Sequence, residues 1–148
     1  MTTTEELIAE VLKGLPVQMK RNRRMFLTVP RSDLIKTMNI LANELAIQHL
    51  STITARDTGN ELEILYHFLF KGVVITVRTT CPINDPTIDS IVSVFPSAIL
   101  YEREIHDILG ILPTGHPDLR RLVLPDEWVG GYPLRKDWKQ PAEQEVEE

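Results

Sequence analysis

Five ionisable residues fall within six consecutive positions, Glu102, Arg103, Glu104, His106 and Asp107, and form the densest set of groups in the chain capable of acid–base or metal chemistry. With about 100° between successive helical residues, Tyr101, Ile105 and Ile108 share one side of a helix, and Glu102, Arg103, His106 and Asp107 spread around the other. Glu102 with His106, and Arg103 with Asp107, stand four apart, the spacing of surface ion pairs. The leading reading is a solvated helix face. A second reading makes the chain a small metal-dependent enzyme, with Glu102 and His106 joined by His116 as ligands. No His-Glu-x-x-His pattern accompanies them.

Lys20-Arg21-Asn22-Arg23-Arg24 is a second cluster, suited by charge to a phosphate backbone. Against a nucleic-acid-binding module stand the chain's net charge of −5 and the lack of aromatic residues among the basic ones. A turn, or a patch paired with an acidic partner, fits better. Cys81 is the single cysteine. That excludes a four-thiolate iron–sulfur cluster and an internal disulfide, and it leaves a structural zinc site short of ligands. His49 and His67 lie in sheet-forming stretches and read as strand residues. Neither Gly-x-Gly-x-x-Gly nor a P-loop occurs, and no Ser/His/Asp order stands out. The residues alone therefore describe no active site.

The elements that must position these groups follow from periodicity. Thr4–Lys13 reads as a helix capped by Thr3 or Thr4 and ended by Gly14 and Pro16. Met25–Val29 reads as a strand. A helix over Ser32–Ile47 carries Leu34, Met38, Leu41 and Leu45 on one stripe. Leu50–Ala55, Glu61–Phe70 and Val73–Thr80 form an antiparallel meander with turns at Thr58-Gly59-Asn60 and Lys71-Gly72. A short helix is expected over Thr87–Val94, stopped by Pro96, and another over Ser97–Leu109, stopped by Gly110. The 148 residues suffice for one domain. The expected class is α+β (α/β two-layer), with helices on one face of a small, mostly antiparallel sheet. No apolar run approaches the roughly twenty residues of a membrane span, and the N-terminus lacks the basic-then-apolar pattern of a secretory signal.

Residues 1–109 make up this domain. Residues 110–138 are another kind of chain. Prolines at 113, 117, 125 and 133 break helix and sheet alike. Ile111, Leu112, Leu119, Leu122, Val123, Leu124, Trp128, Tyr132, Leu134 and Trp138 make the stretch too apolar for a linker. It reads as a strap built to lie on a partner, its charges matched between Asp118, Asp126, Glu127, Asp137 and Arg120, Arg121, Arg135, Lys136. Alternatively, part of it folds back on its own sheet. Residues 139–148 read as an acidic, disordered tail.

Glu102-Arg103-Glu104, Asp107, Gly110-Ile111, Gly115-His116-Pro117-Asp118-Leu119-Arg120-Arg121-Leu122, Pro125, Trp128 and Pro133-Leu134-Arg135-Lys136-Asp137 resemble the signature of the thirty-kilodalton subunit of respiratory complex I. That subunit is shared with membrane-bound [NiFe] hydrogenases and F420H2 dehydrogenases. The resemblance covers about residues 25–138. It implies a structural subunit without cofactor, on the cytoplasmic side of a membrane-bound oxidoreductase and touching the membrane only through the complex. Its partners would be the large subunit, with a quinone or NiFe site, and an iron–sulfur small subunit. The signature residues then become partner-binding residues. Pro113, and one extra residue between Trp128 and Pro133, depart from the complex I branch toward the hydrogenase-like relatives.

Overall fold

Thr3 opens the first helix with a reciprocal cap. Its hydroxyl accepts the Glu6 N–H at 3.1 Å and its own N–H donates to Glu6 Oε2 at 2.7 Å. The computed structural model describes residues 3–141, and Val17–Arg21 by backbone alone. Its elements are α1 (Thr4–Val11), β1 (Val17–Arg21), β2 (Arg24–Thr28), α2 (Leu34–Asn43, after a single 3-10 turn), β3 (Leu50–Asp57), β4 (Glu61–Phe70), β5 (Val73–Pro82), β6 (Thr87–Asp89), α3 (Ala98–Leu109) and β7 (Leu112–Thr114).

The main sheet has the order β1-β2-β5-β4-β3. The β3-β4-β5 meander is antiparallel, as expected, and Lys71 and Gly72, both at positive φ, close its second hairpin. β2 joins β5 in parallel through Arg24↔Val74 to Thr28↔Arg78. Alternation assigns the faces. Leu62, Ile64, Tyr66 and Phe68 of β4, and Ile75, Val77 and Cys81 of β5, join Ile8, Leu34, Met38, Leu41, Ile105 and Leu109 of the helices in one buried cluster. The helices thus cover one face of an α+β sheet.

The other face is polar. Glu63 lies between Arg56 Nε at 2.9 Å and Arg78 Nε at 2.6 Å. Burial raises its carboxyl, and the two guanidinium groups outweigh that and hold it below the ordinary glutamate range. His67 bridges the hydroxyls of Thr54 (3.2 Å) and Thr76 (3.0 Å). It is a strand-face residue, as expected.

Three expectations need correction. The short helix over 87–94 is absent: Thr87–Asp89 is a strand, paired in parallel with Leu112–Thr114. Thr87 and Ile88 are β-branched and suit a strand once a partner 25 positions downstream is in place, in the register Ile88↔Pro113. Pro113 fits because β7 is an edge strand of a two-stranded sheet. The helix expected to run to Ile47 ends at Asn43, and Ala46 takes a positive φ of 53°. β1 went unforeseen, and it makes the basic cluster straddle a hairpin whose turn places Arg23 at φ 61°.

Gly110 ends α3 in the left-handed region at φ 69°, and a Cβ there would lie 2.5 Å from the Tyr132 ring. Gly110→Ala should lower stability by more than the roughly 1–2 kcal/mol of a left-handed non-glycine residue alone. Gly115, at φ 85° with open space where a Cβ would stand, supplies the control. Urea denaturation of both alanine variants should show the larger loss at position 110, and equal losses would contradict the contact with Tyr132.

Candidate partner-binding surface

α3 follows Pro96 and Ser97 and turns its Ala98, Ile105 and Leu109 side into the core. Glu102 goes in with that side, whereas Asp107, about half a turn around the helix, is covered by the backbone of residues 122–124. Glu102 is 1% exposed and Asp107 6%, so the reading of a solvated face fails for both. Glu102 accepts the Ser90 hydroxyl and the Ile91 N–H, each at 2.7 Å. Asp107 Oδ2 accepts three successive N–H groups, from Leu122 (2.8 Å), Val123 (2.8 Å) and Leu124 (3.2 Å). Arg103 donates to the carbonyls of Arg120 and Arg121, both at 2.8 Å. Arg103 and Asp107, expected to pair along the helix, bond instead to backbone that runs over it. That backbone, broken by proline, has few sheet or helix partners of its own.

The segment after α3 is therefore tied to its own domain. His116 lies over the start of α3. Its Nδ1 accepts the Asp118 N–H at 3.0 Å, which leaves Nε2 to donate to the Ile99 carbonyl at 2.9 Å. Farther on, the Leu134 N–H reaches the Ile108 carbonyl at 3.1 Å and Arg135 Nε donates to that of Leu109. These carbonyls belong to the helix end, where intrahelical partners run out. Lys136 closes the segment onto the β3–β4 turn, its N–H on Asp57 Oδ2 at 2.9 Å and its Nζ on the Thr58 carbonyl at 3.2 Å. Arg135 and Lys136, expected to contact another protein, thus have partners within the chain.

Glu102, Arg103, Asp107, His116, Arg120 and Arg121 come together around α3. Glu104, Gly115, Pro117 and Asp137 are exposed, and Trp128 and Pro133 are half-buried. Arg120 pairs with Asp118 at 2.8 Å, with its side chain 80% exposed. The metal-site reading loses its ligands: His106 Nδ1 contacts the Ile111 carbonyl at 3.2 Å, and both nitrogens of His116 are engaged with backbone. Among the described residues no trio of His, Cys, Asp or Glu could hold a metal ion. In the basic cluster the side chains of Lys20 and Arg21 lie outside the described residues. So does the tail over 142–148, and with it the expectation of disorder there.

Among the residues the segment turns outward are several large apolar ones. Leu122, Val123, Val129, Tyr132 and Leu134 are all exposed, Val129 at 96%. Sequence reasoning passed over Val129, whose signal is a β-branched residue left in front of Gly130-Gly131. It also passed over Asp57, the anchor of Lys136, which an Asp-Thr-Gly turn could have flagged.

Burial pushes the Asp107 carboxyl up, but the three N–H groups outweigh it and hold the group below the ordinary aspartate range. A carboxyl depressed by folding contributes stability above its unfolded value, about 3.9, and loses that contribution as pH falls through the folded value. Asp107→Asn should therefore be less stable than the wild type at neutral pH, with the gap closing in acid. Urea titrations of both proteins between pH 7 and pH 3 would reveal this, and a gap independent of pH would refute it.

The family described as "Respiratory-chain NADH dehydrogenase, 30 Kd subunit" matches residues 27–144. A subunit of the F(420)H(2) dehydrogenase of Methanosarcina mazei is 39% identical over 103 residues, which is 67% of this chain and 65% of that protein. A subunit of the NADH-quinone oxidoreductase of Rhodopseudomonas palustris is 38% identical over 121 residues, 78% of this chain and 59% of that one. The chain thus spans about three fifths of the length of these relatives. Among solved structures, a chain of the membrane-bound sulfane sulfur reductase, an archaeal respiratory membrane complex, superposes with a TM-score of 0.80 at 26% identity, over 91% of this chain and 85% of its own length. A trypsin-resistant fragment of Nqo5 shares the fold, with a TM-score of 0.66 at 24% identity over 78% of this chain and 98% of the fragment. With most of its length matched, including all of α3 and the bonded segment behind it, the chain belongs to the family of the thirty-kilodalton subunit of respiratory-chain NADH dehydrogenase.

Proposed function

We propose that this protein is a structural and assembly subunit of a complex I-like, membrane-bound oxidoreductase, with the redox cofactors held by its partners. It docks on the large subunit, which carries the quinone or NiFe site, and on the iron–sulfur small subunit, in the peripheral arm on the cytoplasmic side. The observation that carries this reading is the row Leu122, Val123, Val129, Tyr132 and Leu134, exposed on a segment whose backbone is tied down from behind by α3. Apolar groups fixed in place and facing water favour association, because the ordering cost is met before binding. The relatives, which belong by name to multi-subunit dehydrogenases, support the same reading. Among the described residues no helix is long and apolar enough to cross a membrane, in keeping with attachment through other subunits.

Some charges of the family signature support this surface from within the chain. Arg103, Asp107 and Arg135 shape the surface, and the apolar residues between them make the contact. Val129→Asp combined with Leu134→Asp should cut recovery of the chain with its partner subunits at least tenfold, while leaving its own unfolding midpoint nearly unchanged. Leu69→Asp, at a residue 60% exposed on β4, should leave recovery intact. Stoichiometric complex from the double variant would defeat the proposal.

A further inference from the structure

We propose that the hollow between α3 and residues 119–132 receives an apolar side chain of a neighbouring subunit, flanked in that subunit by a carboxylate that Arg121 binds. This rests on the assembly reading above and narrows it to one contact. The hollow has a volume of about 530 Å³ and is walled by Leu119, Leu124, Trp128, Val129 and Tyr132, with Arg121 at its edge.

Part of its polar lining is already engaged. Asp107 Oδ2 takes three N–H groups, and His106 Nδ1 contacts the Ile111 carbonyl. A site for a small polar ligand needs convergent donors and acceptors to orient it. Here the apolar side chains of Leu119, Leu124, Trp128 and Val129 stand beside one cation, with His106 and Tyr132 adding polar atoms to the lining. Arg121 donates through Nη1 to the Pro125 carbonyl at 3.0 Å, and a guanidinium has further N–H groups to offer. The anion lining the hollow is Asp107, whose charge the three N–H groups already hold. Arg103, bonded to the carbonyls of Arg120 and Arg121, keeps more positive charge close by. Asp126 and Glu127 are exposed next along the chain but are not part of the lining, so Arg121 is the charge facing an occupant and favours an acidic one.

The outer wall is rigid. Trp128 Nε1 donates to the Gly131 carbonyl at 2.7 Å and Trp138 Nε1 to that of Gly130 at 2.6 Å. The two indoles stack with centroids 6.4 Å apart. Val129 is thereby held almost fully in water at the rim, where an inserted side chain would cover it. A prearranged wall of this kind suits an anchor residue of a protein partner.

The test uses the full complex from its producing cells, with a photo-reactive amino acid at Val129 or, in a second preparation, at Leu134. After irradiation, mass spectrometry identifies the linked peptide. The Val129 probe should link to another subunit, at a Leu, Ile, Met or Phe with Asp or Glu within two residues. Arg121→Glu should lower association at least tenfold, and Arg121→Lys much less. Linkage to a second copy of this chain, or to a segment without a carboxylate, would overturn the proposal, as would wild-type assembly of Arg121→Glu. Should Leu134 link to another subunit and Val129 fail to, the hollow is not the anchor and the assembly reading survives. Should neither link, and the other subunits assemble without this chain, both readings fall.

Discussion

Residues 110–138 follow α3, irregular apart from the three residues of β7, and every N–H and C=O they bury must find a partner. The constraint that organises the protein is that α3 supplies many of those partners from its side chains and its C-terminal end. Asp107 gathers three N–H groups of the segment, and Arg103 serves two of its carbonyls. The helix's own unsatisfied carbonyls at Ile108 and Leu109 are met by Leu134 and Arg135. A helix and a loop that could not satisfy their own hydrogen bonds satisfy each other's.

Buried charge makes this arrangement costly in places. Glu102 and Asp107 sit on the same helix and shift in opposite directions. Burial pushes Glu102 above the ordinary glutamate range, because one hydroxyl and one N–H only partly replace the lost water. Three N–H groups more than replace it for Asp107. As pH rises, Glu102 therefore contributes less to the stability of the folded state, and Asp107 contributes more. Removing either side chain would leave buried backbone groups unpaired, a larger loss than the bond itself is worth.

The same bonds explain why the segment suits assembly. Because its polar backbone is satisfied inward, its outward face is free to be apolar. Leu122 and Val123 face water on the very residues whose N–H groups are fixed by Asp107. A loose strap would have to order itself on its partner, whereas this one is ordered beforehand. Residues 110–138 are hydrogen-bonded to α3 and to the β3–β4 turn along their length.

Much of the fold was legible because its signals are local. The Thr3–Glu6 cap, the two meander turns, the alternation along β4 and β5 and the glycine stop at Gly110 each need only neighbours within a few residues. The family signature too could be read along the chain. Other features depend on distant residues. β6 exists because β7 returns to pair with it, and on their own Thr87–Asp89 carry no decisive preference. The burial of Glu102 and Asp107 was not legible, since charges on a helix ordinarily face water and only the incoming backbone gives these two a reason not to. The sequence by itself determined α1, α3, the β3-β4-β5 meander and the family, because propensity, capping and periodicity act over short range. Only the tertiary structure decided which charges are scaffold and which apolar residues are surface, because that depends on where the N–H and C=O groups of residues 110–138 find their partners.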